Sequence, residues 1–204
     1  KGVGFTQADR RELLTVIGEI LDDLLARYRR LAEQGRVELS TTPYAHPISP
    51  LLLDFASARD ALPQLPLPEK PVYPGGEERA RWHLEQGAAV FEEHFGFRPT
   101  GIWPAEGGVS EAALDQMAAG GFRWAATGEG VLGHSLGHDY GKYGDDPAVN
   151  LCHRYRVGEQ GLACFFRDDE LSDLIGFNYS DWHADDAVAN LVHRLEGIAE
   201  MLPN

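Results

Sequence analysis

Basic residues are scarce in this chain. Eighteen Lys and Arg stand against 32 Asp and Glu, a formal net charge of −14 at pH 7. A phosphate-backbone partner needs clustered Lys and Arg, so nucleic acid is excluded as the ligand. Anionic membranes and polyanionic substrates are disfavoured on the same ground. Cysteine is nearly absent. Cys152 and Cys164 are too few for a disulfide framework or a four-ligand zinc site, and they read as two buried thiols in a reducing, cytoplasmic compartment. No apolar run is long enough to span a bilayer, and the first residues lack a secretory-leader pattern. A Gly-rich phosphate loop, a Ser-His-Asp order and a CxxC pair are missing too. A neutral ligand, such as an uncharged sugar polymer, is not penalised by any of these shortages.

What is present suits one globular domain over residues 1–204, with 43% apolar and 25% charged residues. Thr6 or Asp9 can cap a helix carrying Leu13, Ile17, Ile20, Leu24, Tyr28 and Leu31 at helical spacing, with Gly35 closing it. Residues 37–41 alternate as a strand and run into the loop Thr42-Pro43-Tyr44-Ala45-His46-Pro47. Residues 51–61 read as helix, and the Pro-rich stretch 63–76 reads as an extended linker. Residues 77–95 form a strong helix facing inward through Ala80, Leu84, Ala88, Phe91 and Phe95. Gly101-Ile102-Trp103 is a short strand. A helix starts at Ser110 and stops at Gly120-Gly121, and residues 122–127 are the next strand. Residues 128–148 read as a long loop. Residues 151–157 and 162–166 are strands joined by a turn at Gly158 to Gly161, and residues 184–201 form a capped helix. Alternating strands and helices predict an α/β fold with mainly parallel strands. No strand precedes the first helix, so flanking parts of a longer protein are expected to complete the fold.

Two segments place carboxylates at strand ends, where parallel α/β folds bind ligands. The first is Trp103-Pro104-Ala105-Glu106-Gly107-Gly108, in which Pro and two Gly shape the backbone around Glu106 beside a flat aromatic surface. The second is Phe165-Phe166-Arg167-Asp168-Asp169-Glu170. Two carboxylates facing each other across a cleft are what glycoside cleavage needs, one as nucleophile and one as proton donor. On spacing alone, the commoner reading of Glu106 is a solvated loop residue beside a core Trp. The Asp cluster also reads as the cap of a following helix. His46, flanked by Pro, can hydrogen-bond a ligand hydroxyl, although a lone His is more often structural. His134 and His138 have the spacing of a helical metal pair, but the glycines around them make a weak case, and no metal or cofactor is expected.

At these residues the sequence resembles glycoside hydrolase family 57. The resemblance is carried by residues 37–52 (VELSTTPYAHPISPLL), 95–114 (FGFRPTGIWPAEGGVSEAAL), 121–132 (GFRWAATGEGVL) and 165–182 (FFRDDELSDLIGFNYSDW). It implies part of an incomplete (β/α)7 barrel that acts with retention on α-glucans such as starch or glycogen, as a hydrolase or a transferase. Glu106 falls on the family's catalytic glutamate. Asp168, with Asp169 as the alternative, falls on its catalytic aspartate. His46, Trp103 and Trp124 match positions lining the donor sugar, and Glu129 and Arg167 are expected to face the cleft. The family's histidine-containing first strand and its last motif are missing. Two rival readings are a metal-dependent polysaccharide deacetylase and a non-catalytic glycan-binding module on the same scaffold.

Overall fold

Helices between successive strands return the chain to the same end of the sheet, so the strands they connect run parallel. The computed structural model describes residues 2–70, 72–136 and 151–202. Its strands are β1 (Ser40–Thr41), β2 (Gly101–Ile102), β3 (Trp124–Gly128), β4 (Tyr155–Val157) and β5 (Leu162–Arg167). They form one sheet in the order β1-β2-β3-β5-β4. The first four in that order are parallel, and β4 is antiparallel to β5. The expected α/β fold with a mainly parallel sheet is therefore what the chain adopts.

The helices are α1 (Gln7–Asp22), α2 (Leu24–Glu33), α3 (Ser49–Leu53), α4 (Ala58–Ala61), α5 (Gly76–Phe95), α6 (Glu111–Ala119), α7 (Glu129–Leu136), α8 (Asp169–Gly176) and α9 (Ala184–Met201). Helices α5 and α6 cover one face of the sheet. Their Leu84, Ala88, Ala113, Leu114 and Met117 pack with Ile102, Phe122, Ala125 and Leu162. Each strand points alternate residues to the other face. Gly101, Trp124, Phe165 and Arg167 lie there, and Phe165 is 42% exposed. Gly101 is required: a Cβ at this position would stand 2.0 Å from the Trp124 ring.

Several elements differ from expectation. The helix over residues 9–31 is two helices broken at Asp23, because the Asp22-Asp23 pair is a weak helix-former in mid-run. Thr6 and Asp9 cap the first reciprocally. Neither helix has a buried residue, and Leu13 and Ile20 are 59% and 68% exposed. The strand expected over 37–41 pairs only at Ser40 and Thr41. The helix over 51–61 is three short pieces, interrupted where the extended Asp54 turns its carboxylate to the N–H of Ala56. Residues 129–136, expected in a loop, form α7, and the strand expected from 151 begins at Tyr155. His138 and the remainder of that loop lie outside the described residues. Among the described residues, no helix is long and apolar enough to cross a membrane.

Glu38, on the approach to β1, ties that strand to the rest. Its Oε1 accepts from the Thr100 hydroxyl and, at 2.8 Å, from the Trp124 indole N–H. These bonds, Thr100's first and then Trp124's, hold its carboxyl below the ordinary glutamate range against the opposing effect of burial, with Arg123 adding to the lowering. A carboxyl depressed in the folded state stabilises above its unfolded pKa and loses that contribution as pH falls through the folded value. Glu38→Gln is therefore expected to lower stability at pH 7 by about 1 kcal/mol or less, given its solvent exposure. The difference should shrink as pH falls below about 4. Thermal unfolding of both proteins across that range is the check, and a pH-independent difference would contradict it.

Candidate active site

The carboxyl ends of β1, β2, β3 and β5 lie along one edge of the sheet, and the two acidic motifs follow β2 and β5. Beyond β2, the Trp103 N–H donates to the Thr41 carbonyl at 2.8 Å, extending the ladder by one bond. Pro104 and Ala105 are buried and turn the chain, and Glu106 then takes φ 55° and ψ 19°. A left-handed glutamate costs roughly 1 kcal/mol or more, a cost that persists only where the surroundings impose it. Gly107 follows at φ 67°. Its carbonyl accepts the hydroxyl of Thr127, a fully buried residue of β3. The loop is thus bonded across the sheet directly behind Glu106, whose side chain stays 75% exposed.

Among the described residues, the other non-glycines with positive φ are Ala45 and His46, in the loop beyond β1. Pro43 is buried in that loop, the Tyr44 N–H donates to the His83 carbonyl, and Gly87 of α5 lets the loop approach closely. This holds the His46 Nδ1 3.7 Å from the Glu106 Oε1. Two strained backbones from different strands meet at one carboxylate, which is how strain is distributed at functional sites.

After β5, Asp168 caps α8, its Oδ1 accepting the Leu171 N–H at 2.8 Å. It also lines a cavity of about 280 Å³ between α8 and α9, together with Glu170, Leu171, His193 and Arg194. Asp169 turns the other way. Its Oδ1 receives the Arg167 Nε and Nη2 at 2.9 and 2.7 Å, and its backbone N–H donates to the Glu129 Oε2 at 3.4 Å. The Arg167 guanidinium lies over the Trp103 ring, 5.2 Å from its centroid.

The structure brings His46 to Glu106, and it brings Trp103, Arg167, Asp169 and Glu129 into one cluster, while Asp168 lies beside that cluster at the start of α8, on the α8–α9 cavity. It does not bring Trp124 to the cluster. Trp124 begins β3, lies over Gly101 and Phe165, and donates to Glu38 at the amino ends of the strands. Thr127 went unmarked in the sequence, where its only signal is a polar residue at an inward position of an apolar strand. Among the described residues no group of three or more His, Cys, Asp and Glu side chains is placed to hold a metal ion. Cys164 is buried as expected, but Cys152 is exposed, because it lies on the approach to β4 rather than within a strand. Desolvation pushes the Cys164 thiol up to about 11.

The family model for glycosyl hydrolase family 57 matches residues 12–204. The chain belongs to this family. A 1,4-alpha-glucan branching enzyme of Thermococcus kodakarensis is 31% identical over 84 residues, which is 41% of this chain and 9% of that protein. The crystal structure of that family 57 branching enzyme superimposes with a TM-score of 0.53 and 21% identity, over 83% of this chain and 30% of that one. The alpha-amylase AmyC of Thermotoga maritima gives 0.51 and 18%, over 83% and 27%. At these identities the likeness shows the fold, part of the family 57 barrel. The chain spans under a third of the length of these relatives.

The Thr127 bond predicts a measurable dependence. Thr127→Val keeps the side-chain shape but strands the Gly107 carbonyl, and is expected to cost about 1–3 kcal/mol. Thr127→Ser keeps the hydroxyl and should cost less. Denaturant unfolding measures both. A Val variant as stable as wild type would show that the bond does not hold the Glu106 loop.

Proposed function

We propose that this chain is the central part of a retaining α-glucan hydrolase or glucanotransferase. The observation carrying this reading is Glu106, held in a strained conformation at a strand's carboxyl end with its carboxylate in the open, in a chain of family 57. Glu106 attacks the anomeric carbon while Asp168 protonates the departing glycosidic oxygen, leaving a glycosyl ester on Glu106. Asp168 then takes a proton from water or from a sugar hydroxyl, which displaces Glu106. Water as acceptor gives hydrolysis, and a sugar gives transfer. Related proteins include an amylase, a branching enzyme and a 4-alpha-glucanotransferase, activities that share the first half-reaction and differ in the acceptor.

His46 stands where it can steady the Glu106 carboxylate and reach a sugar hydroxyl, and Trp103 and Glu129 are the further residues assigned to the sugar site. A net charge of −14 suits a neutral polysaccharide. A content of only two cysteines suits a reducing cytoplasm. The rest of the parent protein completes the barrel. In support of this, β1 and β4 are edge strands, Phe165 is exposed on the sheet's second face, and α1 presents Leu13, Leu14, Ile17 and Ile20 to solvent.

In the whole protein acting on maltoheptaose, Glu106→Gln and Asp168→Asn are each expected to lower kcat by at least about 10³-fold while oligosaccharide binding survives. Asp169→Asn should be milder. Retention of more than a tenth of wild-type turnover by Glu106→Gln would rule out its role as nucleophile. The 204-residue chain alone is expected to cleave no starch, and cleavage at the parent's rate would show it to be a complete enzyme.

A further inference from the structure

Trp103 matches a position lining the donor sugar, yet the Arg167 guanidinium occupies one of its faces, 5.2 Å from the centroid. That contact is one of several converging on a single turn. Arg167 ends β5 opposite Gly128, the last residue of β3. Its Nε and Nη2 both donate to Asp169 Oδ1. The Asp169 carboxylate sits over Gly128, where a Cβ would stand 3.0 Å from its Oδ2. The Asp169 N–H reaches Glu129 at the start of α7. Trp103 is itself held to β1 through its backbone N–H and lies under Gly107, whose added Cβ would stand 3.6 Å from the Trp103 ring. Of the residues flanking Asp168, Arg167 is thus tied to the β2 end that carries Glu106, and Asp169 to Arg167 and to the end of β3.

We propose that Arg167 is a positioning residue, which braces the turn bearing Asp168 against the Trp103–Gly107 loop bearing Glu106 and so sets the separation of the two carboxylates. This rests on the reading of Glu106 and Asp168 as the catalytic pair. Arginine suits the task because its planar guanidinium stacks on an aromatic face while two of its N–H groups converge on one carboxylate oxygen. Lysine offers a point charge and neither geometry. Retaining catalysis needs the two carboxyl groups about 5–5.5 Å apart, and displacements near 1 Å cost on the order of 10²-fold in rate. The brace also assigns Trp103 a different part from the expected one, as the platform for Arg167 on the face that the guanidinium covers.

The test is steady-state kinetics on maltoheptaose with Arg167→Met, Arg167→Lys, Trp103→Phe, Trp103→Leu, Asp169→Asn and the Arg167→Met/Asp169→Asn double variant in the whole protein. A brace predicts that Arg167→Met lowers kcat 10- to 100-fold with KM within about twofold of wild type. Arg167→Lys should recover little of the loss, and Trp103→Phe, which keeps a face for the guanidinium, should recover most of the loss seen in Trp103→Leu. Asp169→Asn should reproduce the Arg167→Met pattern, and the double variant should be no worse than either single one. A tenfold rise in KM with kcat unchanged would overturn the proposal and make Arg167 a sugar ligand, and additive losses in the double variant would also overturn it. If wild-type protein turns over no α-glucan, the catalytic reading fails by itself. The brace is then read from thermal unfolding of the same variants: additive shifts in Tm for Arg167→Met and Asp169→Asn overturn it, and non-additive shifts support it.

Discussion

The site depends on the bond between the Thr127 hydroxyl and the Gly107 carbonyl. Two successive residues in left-handed backbone, Glu106 and Gly107, make a loop that free peptide would not adopt. Burying the Thr127 hydroxyl without a partner would itself be costly, so the core of β3 and the shape of the loop stabilise each other. The same bond ties β2 to β3 beyond the point where their ladder ends. It leaves the Glu106 side chain to point away from the core, beside His46, which is held in the same unusual conformation by a different strand.

A parallel register sets that local device beside the other strand ends. Ser40, Gly101, Trp124 and Ala163 stand level across four strands, so the carboxyl ends of those strands, and the loops leaving them, gather on one edge. One face of the sheet is filled by α5 and α6. The other carries a lower tier of Glu38, Trp124 and Phe165 and an upper tier of Trp103, Arg167 and Asp169. The lower tier ties strands together and the upper one lies at the strand ends beside the Glu106 loop. This division explains why two tryptophans on the same face are placed so differently.

Much of this was legible in the residues themselves. The Thr6 cap, the α9 boundaries, the inward face of α5 and the Gly158–Gly161 turn follow from local propensity and spacing. So does the placement of Glu106 and Asp168 just past two strands. What escaped depends on register between distant segments. Nothing near Thr127 shows that Gly107 lies across from it, and nothing near Arg167 shows that Trp103 lies beneath it. The Trp124 position shows the same limit: alternation tells which face a strand residue occupies but not its height on the sheet. The break at Asp23 and the shortness of β1 are local features that the apolar periodicity hid. Asp168 takes the capping reading, accepting the Leu171 N–H at the start of α8, directly after β5.

The account turns on Glu106 forming a covalent bond to the sugar. Incubating the whole protein with a fluorinated maltosyl fluoride, which forms the glycosyl-enzyme quickly and releases it slowly, followed by peptide mass spectrometry, tests this directly. The account predicts that the added glycosyl mass lies on the peptide containing Glu106 and is absent from a Glu106→Gln protein. A label on any other carboxylate, or inverted product with no label while the enzyme turns over, would contradict it.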